Sequence, residues 1–148
     1  MNFDDLLKQG QLKKETTGKD KLAEYIDFAE NEIEAAKYNF PKYNLVAYKA
    51  AYDALIHAGN ALIRYYGYRP TQKYTHVTIT ECVERVLGDK YSDLVGRFKR
   101  MRRKRHPLQY EASFLASASE VSESIAQAHE LVKKIEEHIN IQPTQRLF

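Results

Sequence analysis

The part of the sequence best equipped for chemistry is a basic run in its second half. Between Arg97 and His106 the chain reads RFKRMRRKRH, which contains seven cations and no acid. The formal net charge of the whole chain is +3, so the rest of the chain carries −4. A positive run on a mildly acidic body is typical of a surface that binds phosphate groups or an acidic partner.

Helical spacing divides these cations into two groups. Arg102 and Arg105 continue the apolar row of their helix and should emerge beside its buried side, whereas Arg100, Arg103 and Lys104 should point to solvent. An arginine at the end of an apolar row either covers core methylene groups or holds its guanidinium in a cleft, where it binds carboxylate or phosphate. We favour the first interpretation for Arg102. For Arg105 both stay open, because a polar cluster follows it directly and could complete a site.

Four other polar residues are weaker candidates for a supporting role. His57 lies on a face of small residues, where a histidine is more often a core or interface residue than a catalyst. Asp53 and Asn60 belong to the same helix and either orient an arginine of the basic run or lie at the surface. Arg69 either joins a phosphate site or caps the preceding helix.

We expect no metal site, no cofactor and no membrane span. His76, His129 and His138 lack metal-ligand spacing with any carboxylate or cysteine. Cys82 is the only cysteine, which excludes an internal disulfide and a Cys-rich zinc site. The sequence shows neither a Gly-rich phosphate loop nor a signal peptide, and its apolar runs are too short to cross a membrane. A cytoplasmic protein is therefore expected.

Four long amphipathic helices must position these residues. Apolar side chains recur at three- and four-residue steps over about residues 20–38, 44–66, 91–105 and 117–139. The second of these segments is apolar or small around most of its circumference, which predicts the central helix of a bundle. Pro41 separates it from the first, and Pro107 should end or bend the third.

The segment THVTITECVERVLGDK is ambiguous between a helix and a strand, above all over residues 75–82. The alternation of Val77 and Ile79 among threonines suits a strand, whereas Val83, Val86 and Leu87 suit a helix that ends at Gly88. We favour a helix, because a lone strand would have no partner.

These elements predict one all-α domain, an antiparallel up-and-down helical bundle of four to five helices. The bundle should span residues 16–140. It follows a short N-terminal segment, residues 1–15, which we interpret as an amphipathic piece and a polar linker, and it precedes a C-terminal tail, residues 141–148. Residues 67–74, GYRPTQKY, are predicted to form a turn or loop.

Two segments resemble the HEPN family of small helical bundles. AYKAAYDALIHAGNALIRYYGYRP (residues 47–70) is similar to the second HEPN helix and the turn after it. GRFKRMRRKRHPLQYE (residues 96–111) is similar to the family's Arg-polar-x-x-x-His segment, in the variant that ends in Tyr. The likeness covers about residues 20–140 and implies a HEPN-like homodimer, with two copies of this segment across a cleft.

The resemblance also implies roles for three residues. Arg105 matches the family arginine, His106 takes the polar position, and Tyr110 takes the position of the catalytic His. Many relatives are metal-independent ribonucleases, often toxins of toxin–antitoxin pairs, whereas others bind nucleotides or have lost activity. A tyrosine with an ordinary pKa of about 10 is a poor general base at neutral pH. Arg100 and His106 form a rival register of the looser motif, although Arg100 lies on the polar face.

We therefore expect RNA or nucleotide binding at a basic cleft, with Arg69, Arg100, Arg102 and Arg103 holding phosphate and with ribonuclease activity weakened by Tyr110. The alternative is a non-catalytic module that binds a protein partner such as a nucleotidyltransferase. A third interpretation is a basic run that is simply a solvated helix face.

Overall fold

The computed structural model describes residues 2–108 and 116–143, and it describes the side chains of all of these except 105–108. This part of the chain is mainly helical, as predicted. Its elements are α1 (Asp4–Lys8), β1 (Leu12–Lys14), α2 (Lys19–Asn39), α3 (Asn44–Tyr65), β2 (Tyr68–Pro70), α4 (Thr75–Leu87), α5 (Ser92–Leu108) and α6 (Ala118–Ile139), with a 3₁₀ turn, Asp89–Tyr91, between α4 and α5.

The helix α3 is the centre of the bundle, as its composition predicted. It packs against α2, α4, α5 and α6. Its two largest buried side chains are Tyr48 and Tyr52, and most of its other buried residues are alanines. Alanines and a glycine at these positions let the neighbouring helices approach closely on several sides.

The helices α2 and α3 run antiparallel. His57 in the middle of α3 pairs with Glu32 of α2, while Arg64 near the end of α3 lies over the ring of Tyr25 near the start of α2. α2 packs against α3 and α6. Its buried side chains are Leu22, Ala23, Ile26, Ala29, Ile33 and Ala36.

A small antiparallel sheet differs from the sequence prediction. Leu12–Lys14, predicted as linker, pairs with Tyr68–Pro70, predicted as turn or loop, in the register Leu12↔Pro70. Leu12 is buried, and so are Phe3 and Leu6 before it, which belong to the same core as the helices. Strands of three residues are too short to show the alternation that identifies a strand, and their partners lie far apart in the chain.

Residues 75–87 form the helix that we favoured. Its buried residues are Thr78, Ile79, Thr80, Cys82, Val83 and Leu87, so the threonine-rich start contributes to the buried side of α4. Gly88 ends the helix with a φ of 73°, a conformation that favours glycine. No helix within residues 2–108 and 116–143 is long and apolar enough to cross a membrane.

The predicted start of α6 is also observed. Ser117 caps the helix, because its hydroxyl accepts a hydrogen bond from the backbone N–H of Glu120 at 3.1 Å. The helix ends at Asn140, which adopts a left-handed conformation. Of the predicted tail, residues 144–148 lie outside the described residues.

Candidate nucleic-acid interface

The helix α5 carries the basic run, and its apolar row determines how the helix is rotated against the bundle. Val95, Phe98 and Met101 are buried. Arg102 lies beside this row, as predicted, and its Nε is buried without a hydrogen-bond partner among the described residues. Because Phe98 and Arg102 are one turn apart, the Arg102 side chain rises from the same side of α5.

The first half of the basic run is paired with acidic residues of neighbouring helices. Arg97 Nε donates to Gln127 Oε1 at 2.7 Å, and its Nη2 lies 3.5 Å from Glu123 Oε2. Lys99 Nζ lies 2.8 Å from Glu84 Oε2 of α4. These contacts join α5 to α6 on one side and to α4 on the other.

The spacing predicted that Arg100 and Lys104 point to solvent. In the structure both are instead bound to an acid of a neighbouring helix. Both donate to Glu120 in the first turn of α6, Arg100 Nη2 to Oε1 at 2.8 Å and Lys104 Nζ to Oε2 at 2.7 Å. Hydrogen bonds from Lys104 and Arg100 hold the pKa of Glu120 below its ordinary value. Helical spacing identified the polar face of α5 correctly, but it contains no information on which helix packs beside that face.

Arg103 differs from these four cations. Its side chain is exposed, and it forms no ion pair within the described part of the chain. Arg105 and His106 belong to the last turns of α5, but the structure does not describe their side chains. Tyr110 lies outside the described residues. The roles that the resemblance implies for these three residues stay predictions.

Arg69 takes part in a structural contact at the small sheet. Its Nε lies 3.1 Å from Glu15 Oε1, and Arg64 of α3 binds the other oxygen of the same carboxylate. The hydrogen bond from Arg64 is the largest cause that lowers the pKa of Glu15. The described contacts of Arg69 are with Glu15 and the Pro70 carbonyl, and they do not bring it to α5.

The described contacts of His57 are with α2, and a supporting role for Asp53 stays a prediction. His57 Nδ1 lies 2.7 Å from Glu32 Oε1, and this neighbouring carboxylate raises the pKa of His57. The ring of Phe28 lies 5.5 Å from the imidazole. His57 and Asp53 are one turn apart on this α2-facing side of α3, whereas Tyr52 on another side contacts Phe98 of α5.

Two histidines that the sequence analysis set aside have tyrosine partners. The Tyr52 hydroxyl lies 2.9 Å from His76 Nδ1, and the Tyr66 hydroxyl lies 2.7 Å from His138 Nε2. A buried tyrosine usually needs a partner for its hydroxyl, so Tyr52 on the buried row of α3 was a signal for such a contact. Spacing alone offers no reason to choose one histidine over another.

The described residues contain no group of three or more His, Cys, Asp or Glu side chains that could hold a metal ion. Comparison of the chain with family models, with curated proteins and with solved structures found no match. The HEPN resemblance therefore depends on the two sequence segments that suggested it.

Proposed function

We propose that this protein is a HEPN-like helical bundle that binds RNA, or a nucleotide, through the C-terminal half of α5. One observation carries the proposal. Within the described residues, acidic neighbours pair with Arg97, Lys99, Arg100 and Lys104 but not with Arg103. The unpaired positive charge of Arg103 is therefore in the second half of the run, two residues before Arg105, which matches the family arginine.

Electrostatics favours a phosphate ligand at this position. A cation that is already bonded to a carboxylate gives up part of that interaction when it binds phosphate, whereas Arg103 has no described carboxylate to lose. Guanidinium groups also match the geometry of phosphate oxygens. A pair of protomers would bring two such helix ends to one cleft, as the resemblance implies.

Binding is tested with a fluorescein-labelled single-stranded RNA, with anisotropy as the readout. Arg103→Ala should weaken binding and reduce the slope of log K against log salt by about 0.7, the value for one lost contact with a single strand. Arg100→Ala is the matched control, because its side chain is 55% exposed but bound to Glu120. Its effect should be clearly smaller. Absence of binding by the wild type, or equal losses in both variants, would overturn the proposal.

Ribonuclease activity is the second part of the proposal and needs its own assay. If Tyr110 stands where active relatives have His, cleavage should be slow, because a neutral phenol is a poor proton acceptor at pH 7. Cleavage that persists in EDTA, disappears in Arg105→Ala and increases in Tyr110→His would support it. No cleavage by any of these proteins would exclude ribonuclease activity. The anisotropy assay alone would then test whether the protein binds RNA.

A non-catalytic module that binds a protein partner, such as a nucleotidyltransferase, is the second candidate. The observation that favours it is the pairing of four cations within the chain, which weakens the field that would attract RNA. Co-purification of a nucleotidyltransferase with a protein that fails the RNA assay would support this candidate and a role in a toxin–antitoxin pair.

A further inference from the structure

Three tyrosines that directly follow lysines have rings exposed to solvent. The sequence contains the pair Lys-Tyr at residues 37–38, 42–43, 73–74 and 90–91. Tyr38, Tyr43 and Tyr74 are 89%, 53% and 60% exposed, whereas Tyr91 of the last pair packs against the core. Exposed apolar groups indicate a binding surface when they lie together.

The start of α3 lies beside the second half of the basic run. α3 and α6 have 22 residues each, and their ends meet where the Tyr66 hydroxyl lies 2.7 Å from His138 Nε2. Their first turns also lie together, because burial and then the charge of Glu120 raise the pKa of Tyr48 to about 12. Glu120 in turn is bound by Lys104 of α5.

The three exposed tyrosines all lie at this end of the bundle. Tyr43 directly precedes α3, and Tyr38 lies in the last turn of α2, which runs antiparallel to α3. Tyr74 directly precedes α4. Because a short turn joins α4 to α5 and Glu84 pairs with Lys99, these two helices are antiparallel and the start of α4 lies near the end of α5. Exposed aromatic rings therefore surround the end of the basic run.

Two of these rings have a cation close to them. Lys42 Nζ lies 5.4 Å from the centroid of the Tyr43 ring, and Lys73 Nζ lies 5.3 Å from that of Tyr74. The described contacts of both lysines are with these rings, so no described carboxylate neutralises them. An aromatic face with a cation beside it suits nucleic acid, because the ring stacks on a base while the cation binds the adjoining phosphate.

Tyr38 lies beside a surface cavity of about 650 Å³ at the end of α2. Lys37 and Glu34 line this cavity as well. The volume is in the range of small-ligand pockets, so a base has room beside the Tyr38 ring. Lys37 pairs with Glu34 at 3.7 Å, but both side chains are exposed, and such a weak pair gives way readily to a phosphate.

The backbone of Tyr74 supports a role outside the fold. Its φ is 58°, in the left-handed region, which glycine and asparagine adopt with less strain than a tyrosine. Burial of the ring would offset this strain, but the ring is 60% exposed. The core therefore gives no reason for an aromatic residue at this position, whereas a base stacked on the ring does.

We propose that Tyr38, Tyr43 and Tyr74 stack on bases of RNA bound at the α5 interface, and that the ligand of this interface is single-stranded RNA. This inference rests on the proposed function and names the form of RNA that the interface binds. Bases of a duplex stack on one another, whereas unpaired bases offer their faces to aromatic side chains. The lysines beside the rings, together with Arg103, bind the phosphates between the bases.

Anisotropy with the same labelled single-stranded RNA tests the stacking. Tyr43→Leu and Tyr74→Leu should each lower the affinity about 5- to 100-fold, because leucine is apolar but cannot stack. Tyr74→Phe keeps the ring and should bind like the wild type. An unlabelled RNA duplex of the same sequence should compete much less well than the unlabelled single strand.

Tyr65→Leu is the matched control. Tyr65 is 46% exposed, but it lies at the opposite end of α3. The variant should leave RNA affinity unchanged. A general effect of removing an exposed tyrosine would instead weaken binding in this variant as well.

Two further variants at position 74 separate stacking from folding. Tyr74→Asn should be at least as stable as the wild type in urea, because asparagine accepts the left-handed backbone, yet it should lose RNA affinity as Tyr74→Leu does. The chain contains no tryptophan, so Tyr74→Trp introduces a single fluorescent indole. This variant should bind RNA, and stacking should quench its fluorescence, whereas RNA should not quench Tyr65→Trp.

The outcomes distinguish this inference from the proposed function. If the wild type binds RNA and both leucine variants at positions 43 and 74 bind equally well, or if the duplex competes as well as the single strand, the inference is wrong and the α5 interface stands. If the wild type does not bind RNA, both are wrong. Losses in Tyr43→Leu and Tyr74→Leu, with unchanged binding by Tyr65→Leu and quenching in Tyr74→Trp, support the inference.

Discussion

Lys104 of α5 donates to Glu120 of α6 at 2.7 Å, and this pair lies where the basic run meets the first turn of the next described helix. The carboxylate is only 15% exposed, and Arg100 binds its other oxygen. Ser117 positions it, because capping of α6 by the Ser117 hydroxyl places residue 120 one turn into the helix. One acid thereby neutralises two cations of the candidate interface.

Glu120→Gln should strengthen RNA binding. The substitution removes the charge that holds Arg100 and Lys104 and makes both available to phosphate. The slope of log K against log salt should steepen by about 0.7 for each cation that gains a phosphate contact. Anisotropy titrations at several salt concentrations measure both quantities.

Glu137→Gln is the control for this prediction. Glu137 also lies on α6 and pairs with Lys134 rather than with α5. The variant changes the net charge by the same amount as Glu120→Gln. If both variants bind RNA equally well, the effect is one of net charge and the local explanation is wrong.

The long helices could be predicted from the sequence because each one buries a continuous row of side chains. The rows of α2, α3 and α6 are periodic enough to predict their positions to within a residue or two. The start of α6 could be located as well, since Ser117 and Glu120 stand at the spacing of an N-cap.

The tertiary partners of polar residues could not be predicted in the same way. Nothing local in the sequence relates Glu120 to Lys104, or Glu15 to Arg69, because such pairs form only after helices or strands pack. The same is true of Tyr52 and His76. The strands β1 and β2 were not predicted for a related reason. Leu12 is the only buried residue of β1, so β1 shows no alternation of buried and exposed side chains, and its partner β2 lies far away in the sequence.

The stability of the fold should decrease between about pH 5 and pH 8 because of Glu136. Burial, and then Glu30 beside it, raise the pKa of Glu136 from 4.5 to about 8, although Lys133 lies 3.3 Å away. The folded protein then keeps a proton that the unfolded chain has lost, so the free energy of unfolding falls as pH rises through this range and levels off above it. Urea denaturation at pH 5, 6, 7 and 8 measures the slope.

Glu136→Gln isolates this contribution. The amide cannot ionise, so the variant should show a flatter dependence of stability on pH than the wild type. His57, whose pKa is also raised, contributes a loss of stability in the same direction, but it does so in both proteins. Parallel curves for the two proteins would show that Glu136 does not hold the proton.

Gly59→Ala should destabilise the protein. Gly59 of α3 lies against α4, where an added Cβ would overlap Cγ2 of Ile79 and lie 3.2 Å from Cγ2 of Val83. Overpacking of this kind costs about 1–3 kcal/mol, which exceeds the gain of about 1 kcal/mol that alanine has over glycine in a helix. Thermal or urea denaturation measures the loss.

The same substitution at Gly96 should have the opposite sign. Gly96 lies in α5, and a Cβ there would meet no atom within 4 Å. Only the helix propensity changes, so Gly96→Ala should stabilise the fold by up to about 1 kcal/mol. A loss of stability in both variants would indicate that glycine is needed at these positions for a reason other than the α3–α4 contact.

Phe3→Ala should show that the N-terminal segment is part of the core. Phe3 is 1% exposed, and its ring packs edge-on against Tyr66 at 6.2 Å and Tyr68 at 5.6 Å. Truncation of a buried phenylalanine costs about 3–5 kcal/mol, a large part of the stability of a domain of this size. Urea denaturation gives the value, and Lys13→Ala, at an exposed position of β1, is the control. A loss below about 1 kcal/mol in Phe3→Ala would mean that residues 16–140 fold without help from the segment before them.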